Sequence, residues 1–327
     1  MTIIKTTDSM STIQTKLNKG GDIVFNKGTY KITKQLIIPK NTTINLNGAR
    51  LQRKASIQSI FINKVTKTTK RYGGDGNITI SNGILEGMGG YSYDNLLTFF
   101  HSHDIVIDNV TFQDILCHGI ELNSSQKCLI TNCKFLGYNL KDTANVYKEM
   151  IQLDHASYAG FVLSGSVKTS PCYDGTCCDD VKIKACTFDK SNTRDYPYAC
   201  IGEHAQLSGN LNKHNKIFII NNTFKCKYNT DIVQACLSFT NMENVQVYNN
   251  IFDCKRVARI YSKNYGYDVK GNKVTAKDGE GICRNISITN NIVYGCTKKE
   301  AFQQYNKSGT KNHENIVKDN NDFCERN

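Results

Sequence analysis

Tryptophan is absent from the 327 residues, and proline occurs only three times, at Pro39, Pro171 and Pro197. Without tryptophan the favoured stacking platform for a sugar ring is missing, so any such role falls to the 17 tyrosines, among them Tyr158, Tyr261 and Tyr305. The scarcity of proline, with no Gly/Ser tract and no low-complexity run, leaves nothing that reads as an internal linker. A chain longer than most single domains is therefore read as one continuous body. No stretch of about 18 apolar residues occurs, which excludes a spanning helix. The opening "MTIIKTTDSMST" has neither an apolar core nor a small-residue cleavage site, so no signal peptide is expected in this chain. Acidic residues are the minority charge, 29 against 41 Lys and Arg, for a net charge of +12. That excess suits a solvated Lys/Asn-rich surface or an anionic partner such as an acidic glycan. It does not point to nucleic acid, because the basic residues are scattered with no aromatic-interleaved stripe. "CYDGTCC" (172–178) lacks a CxxC pair and matches no standard zinc spacing, so neither a metal nor a cofactor is expected.

What the chain does contain is repetition. "NITISNGIL" from Asn77, "DIVIDNVTF" from Asp104, "KCLITNCKF" from Lys127, "DVKIKACTF" from Asp180, "KIFIINNTF" from Lys216, "NVQVYNNIF" from Asn244, "NISITNNIV" from Asn285 and "NIVKDNNDF" from Asn315 follow one template. Apolar residues alternate, an Asn usually follows, and an apolar residue three places later closes the unit. Period-2 alternation makes each unit a strand. Starts lie 27, 23 and 28 residues apart where copies are adjacent, and gaps of 53 and 41 are read as two turns each, with "YDVKGNKV" (267–274) a degraded copy inside the second. A strand-bearing repeat of about 20–30 residues without helical periodicity predicts stacked coils, a parallel β-helix. The recurrent Asn82, Asn109, Asn132, Asn221, Asn249, Asn290 and Asn320 then mark a corner where Asn tolerates left-handed backbone and its amide joins neighbouring coils.

Ahead of the repeats, "SMSTIQTKLNKGG" reads as a short capping helix with Ser9 or Ser11 as N-cap and Gly20 at its end. The segment that follows, "GDIVFNKGTYKITKQLIIPKNTTINLNG", resembles the start of the pectate-lyase-like parallel β-helix proteins of bacterial carbohydrate-active enzymes and phage tail spikes. The resemblance implies an all-β, single-stranded, right-handed solenoid in one continuous domain. Residues 1–60 form the cap and first coils, and residues 61–327 the body, with a loop at 155–180 projecting from it. It also implies a hydrolase, lyase, epimerase or pure binder, acting outside the cell or on a virion, and leaves open whether three chains associate as a homotrimer.

A second strand class precedes each template: "LTFF" (97–100), "IELN" (120–123), "IQLD" (151–154), "IGEH" (201–204), "LSFT" (237–240), "ARIY" (258–261) and "FQQY" (302–305). First and third residues are mostly apolar and point inward, so the second and fourth point out. The outward column reads Glu121, Asn123, Gln152, Asp154, His204, Arg259, Tyr261 and Tyr305, and contains no lysine. With coils about 4.8 Å apart and alternate residues about 6.6 Å apart, Glu121 and Asp154 are expected roughly 8 Å apart. That falls within the approximately 6.5–9.5 Å of inverting glycosidases. Glu121 and Asp154 are thus the candidate catalytic carboxyls, with His204 as a base or a partner for a substrate carboxylate. Asn123, Gln152, His155, Arg259, Tyr261 and Tyr305 are candidate substrate contacts, and a lyase would use Arg259 or His204 to neutralise a uronate.

The long insertion from His155 to Asp180, carrying Asp174, is expected beside this groove as a specificity loop. Here "EMIQLDHA", "YDGTCCDDVKI" and "IGEHAQLSG", with His214 before "KIFIINNTF", resemble a glycoside-hydrolase-related subgroup of Gram-positive bacterial and phage β-helix proteins. Two positions depart from that pattern: Glu203, where it carries a small residue, and Cys177, where it carries proline. Cys133 and Cys186, Cys226 and Cys254, and Cys200 and Cys236 each share a coil position, which favours stacked, reduced, buried thiols over disulfides. The reading that follows is an enzyme cleaving a surface or acidic polysaccharide; the alternative is a non-catalytic glycan-binding or adhesion protein of a phage or viral particle.

Overall fold

The structure is a computed structural model that describes residues 1–87, 95–138, 149–203, 206–209, 212–226, 235–307 and 309–325. Each coil contributes strands to three columns. The template residues supply the first two, which are joined into one sheet, and the shorter segments before them supply the third, a nine-stranded parallel sheet running from Leu36–Ile38 to Phe302–Tyr305. Every main-column pairing is parallel, the arrangement of a parallel β-helix.

Register follows the template. In the first column Ile78, Ile105, Cys128, Val181, Ile217, Val245, Ile286 and Ile316 stack one above another. In the second, the closing residues Phe112, Phe135, Phe188, Phe224 and Phe252 form a buried column of stacked rings with centroids 4.7–4.8 Å apart. That spacing is the strand spacing of a parallel sheet, so each ring repeats at the pitch of the coil and stacks in contact with the next.

Two corners per coil are left-handed. The sixth template position has φ between 52° and 60° at all seven asparagines, and Ala185 adopts φ 53° in the copy that lacks one. The first template position does the same, from Asn77 to Asn315, with φ between 51° and 55°. The internal ladder belongs to the residue after the first of these corners. The backbone N–H of Asn222 donates to Asn250 Oδ1 (2.8 Å), that of Asn250 to Asn291 Oδ1 (2.9 Å) and that of Asn291 to Asn321 Oδ1 (3.1 Å). Asn250 Nδ2 also donates to the Ile219 carbonyl at 2.9 Å. Replacing Asn250 by alanine removes the acceptor of one buried N–H and the donor to a carbonyl, each costing about 1–3 kcal/mol. Asn250→Ala is expected to lower stability by about 2–4 kcal/mol, read from urea unfolding; a loss below about 0.5 kcal/mol would deny the ladder a structural role.

Two expectations are corrected. The gaps of 53 and 41 residues are one coil each, since Cys128 pairs directly with Val181 and Val245 with Ile286. "YDVKGNKV" is not a degraded coil: Tyr265–Tyr267 and Lys273–Thr275 form an antiparallel hairpin that bonds to the backbone of Gln206 and Ser208 and, through the Val269 carbonyl, to the N–H of Tyr158. The N-terminal helix spans Met10–Leu17, with Ser9 Oγ accepting from the Thr12 N–H (3.2 Å) and Ile13 and Leu17 packed on the first coil. A second, four-residue helix, Lys298–Ala301, carries a capping box between Thr297 and Glu300. Among the described residues no helix is long and apolar enough to cross a membrane.

Candidate functional site

The outer face of the third column carries the polar residues aligned from the sequence. Glu121 lies beside Gln152 and Asn123 beside Asp154; Gln152 lies beside Gly202, Ser238 beside Arg259, and Tyr261 beside Tyr305. The register places Glu121 diagonally from Asp154. His204 lies outside the described residues.

The expectation of an open, solvated column is corrected. Asp154, His155, Asn123 and Tyr261 are 0% exposed, and Arg259, the most accessible of the described column residues up to that coil, is 8% exposed. At the Phe100 and Asp154 end the insertion is the cover. It does not stand off the coil: Ala156, Phe161, Leu163, Cys172 and Tyr173 pack with Ile62 and Phe100 of the outer face in a second apolar cluster. Gly160 crosses directly over Asp154, where a Cβ would stand 2.8 Å from Oδ2, so any larger residue there would collide with the carboxylate. Asp174 belongs to the insertion's own architecture. Its carboxylate accepts from the backbone N–H of Arg71 (2.7 Å) and of Thr176 (2.9 Å), a turn-closing role.

Both candidate carboxyls are held by neighbours. Glu121 accepts from Asn95 Nδ2 and from Thr98 Oγ1. Asp154 Oδ2 accepts from Gln152 Nε2 (2.8 Å), while Oδ1 accepts from the His155 backbone N–H (2.8 Å) and lies 3.2 Å from His155 Nδ1. Both amide atoms of Asn123 and Oε1 of Gln152 are buried without a hydrogen-bond partner. Such groups are costly in a purely structural interior, and they face the same side as Asp154.

From Asp154 the polar system continues through His155, a candidate contact from the sequence, to Glu203 and His214, to which sequence reasoning gave no role. His155 Nδ1 lies 3.0 Å from Glu203 Oε1, and Glu203 Oε2 lies 3.3 Å from His214 Nε2, all three residues being 0% exposed. Burial raises the Glu203 pKa, but His214 and His155 outweigh it and hold the carboxyl below the ordinary range. Glu203 is therefore an anion clamped between two imidazoles. Their ligand atoms lie within 4.8 Å of one another, a spacing that would suit a metal ion. The tautomer argues against one. His214 Nδ1 accepts the Cys178 backbone N–H (3.0 Å), which puts the ring proton on Nε2 and leaves no lone pair there for a metal. His155 Nδ1 faces two carboxylate oxygens, Glu203 Oε1 and Asp154 Oδ1, and is therefore a donor, while its Nε2 is buried without a hydrogen-bond partner.

The other end of the face is basic and aromatic. The Arg259 guanidinium sits 4.4 Å above the Tyr261 ring and donates to Ser238 Oγ (3.0 Å). Lys263 Nζ lies 5.7 Å from the Tyr261 ring and 5.6 Å from that of Tyr265; burial and then the Arg259 charge push its pKa down to about 8. Tyr305 packs on Tyr261 at 5.7 Å. Tyr261 joins the two ends, since its hydroxyl donates to the Glu203 carbonyl at 3.0 Å. Lys263, Glu203 and His214 fall outside the two alternating positions by which the column was read, which is why the periodicity did not select them.

No family model matches the sequence, and no curated protein matches it. Solved structures do. The surface adhesin PfbA of Streptococcus pneumoniae superposes with a TM-score of 0.73 at 20% identity, over 99% of this chain and 80% of that one. A family 28 exopolygalacturonase of Yersinia enterocolitica gives 0.66 at 13% identity, over 100% of this chain and 66% of that one. The tailspike of Escherichia coli bacteriophage HK620, solved with a pentasaccharide, gives 0.63 at 15% identity over 97% of this chain, which spans 54% of the tailspike's length. At these identities the likeness is one of fold, and the fold is the parallel β-helix.

Proposed function

We propose that the outer face of the third column binds an acidic polysaccharide and cleaves it, outside the producing cell or on a viral particle. The observation that carries this reading is the line of groups on one sheet face. A guanidinium and a lysine stacked on tyrosines adjoin a buried carboxylate–imidazole system through Tyr261. Arg259 and Lys263 suit a uronate carboxylate and the half-buried Tyr305, backed by Tyr261, suits the apolar face of the sugar, while the unpaired amide atoms of Asn123 and Gln152 lie beneath the insertion and would meet hydroxyls only when it lifts. Asp154 and His155 are the groups assigned to proton transfer, with Glu121 on the neighbouring coil.

Incubation with polygalacturonate, alginate and a neutral glucan, followed by mass spectrometry of the products, tests the proposal. A gain of one water per cut means hydrolysis, and an unsaturated product means elimination. A second reading, binding without cleavage, is favoured by one observation: Asp154 and Glu121 are both buried and committed to internal hydrogen bonds. Intact glycan with measurable affinity would decide for it. Under either reading Arg259→Ala is expected to weaken binding of the acidic glycan by at least about thirtyfold, roughly 2 kcal/mol, and to flatten its salt dependence. Equal affinity of the variant by titration calorimetry would remove Arg259 from the site.

A further inference from the structure

On the corner where the second column turns into the third, thiols converge from two strand edges. Cys226 and Cys254 end successive second-column strands, Thr223–Cys226 and Ile251–Cys254, and are register partners. Cys200 and Cys236 stand at the start of successive third-column strands, where the Cys200 N–H donates to the Cys236 carbonyl at 2.9 Å. The sulfurs of Cys200, Cys226 and Cys236 all lie within 4.8 Å of one another, and Cys254 interacts with Cys236. Exposure is 0% for Cys200 and Cys236, 2% for Cys254 and 6% for Cys226.

We propose that these four cysteines form a structural site for Zn2+. A tetrahedral zinc with bonds of about 2.3 Å holds its sulfurs about 3.8 Å apart, so the three-sulfur triangle needs only a small contraction to close on an ion. Cysteine is also the one small core residue whose side chain can ligate, and here it comes from two different edges to one point. Cys226 and Cys254 repeat one coil position and Cys200 and Cys236 another, and the two pairs meet at this corner, whereas Cys128 stands singly among isoleucines and valines. Cys226 Sγ further has the Pro197 carbonyl at 2.8 Å and the Tyr198 carbonyl at 3.4 Å, so the corner is polar within an otherwise dry interior. Each ligating thiol releases its proton to solvent, and no oxidation is involved. The ligands are spread over 55 residues in sequence, so the spacing of "CYDGTCC" carries no information about them.

The test uses the full chain, produced under reducing conditions in zinc-supplemented medium. Elemental analysis is expected to find about one zinc per chain, and refolding in Co2+ to give the intense visible bands and thiolate charge-transfer absorption of a tetrahedral sulfur site. Cys226→Val should lower metal occupancy at least about tenfold while Cys128→Val leaves it unchanged. If wild type carries less than about a tenth of an equivalent and the refolded chain shows no cobalt–thiolate band, the corner is apolar packing and the site is refuted. Should Cys226→Val fail to fold, the wild-type metal content and cobalt spectrum decide alone.

Discussion

Glu203→Gln is expected to destabilise the chain by about 3–5 kcal/mol, because it removes the charge from a fully buried carboxylate that faces two imidazole N–H groups. Glutamine has the same shape, but its amide can accept from one ring only and must turn its own NH2 toward the other. A donor is then left facing a donor in a site without water access. Urea unfolding of both proteins measures the loss, and pH gives a second reading. The folded pKa of Glu203 lies below its ordinary value, so its contribution is fully present above the ordinary carboxyl range, near pH 4.5, and is lost as pH falls through the folded pKa. The gap between wild type and variant should therefore be widest near neutrality and narrow on acidification. A variant that unfolds at the wild-type urea concentration at pH 7 would show that Glu203 is not the hub of the buried system.

Asp154→Asn is expected to lower the rate of polysaccharide cleavage at least about a hundredfold while glycan binding is retained. Loss of a general acid or base removes stabilisation of the transition state, about 2.7 kcal/mol for that factor, without removing ground-state contacts. Its structural cost is not negligible, since Asp154 is buried and accepts from Gln152 and from the His155 backbone. A further about 1–3 kcal/mol of stability should go with it, so rates must be compared at a temperature where both proteins are folded. Glu121→Gln, which disturbs bonds to Asn95 and Thr98, is expected to behave alike. Cleavage at the wild-type rate by both variants would end the catalytic assignment. Absence of cleavage by any version, with binding abolished in Arg259→Ala, would establish the binding reading.

The parts of this molecule that were legible in its sequence are those fixed by short-range periodicity. Alternation located every template strand, and counting back from each template placed Glu121 beside Gln152, Asn123 beside Asp154 and Tyr261 beside Tyr305, as the register has them. Asn at the sixth position announced left-handed backbone because few other residues tolerate it. Connections carry no such period. A 53-residue gap with an insertion and a 41-residue gap with a hairpin were indistinguishable by length from two coils, and "YDVKGNKV" alternates as well in a hairpin as in a coil. Burial of the outer face was hidden for a related reason. Phe161, Leu163 and Tyr173 are ordinary loop residues until the insertion folds back and sets them on Phe100. Glu203 pairs with His155 48 residues away and with His214, which opens the strand His214–Ile220 ahead of its template, and neither partner lies on the outward positions by which the column was read.

The pair of left-handed corners has a consequence for how such a protein can change. From Asp104 to Phe112, Lys127 to Phe135, Asp180 to Phe188, Lys216 to Phe224 and Asn244 to Phe252 the run is nine residues every time, and each begins and turns at a left-handed residue. From residue 77 onward one half of each coil thus has an invariant length, and extra residues enter at one or other border of the third column; the two coils before it run two residues longer, since Thr42 pairs with Ile78 but Leu51 with Leu85. Those two borders frame the polar face. Insertions can accumulate, shorten or be exchanged coil by coil around the site, as the segment over Asp154 and the hairpin at 265–275 have done, without shifting the register of the strands that hold it. Backbone geometry thereby leaves room for added length at the borders of the polar face and none within the run that carries the stacked rings.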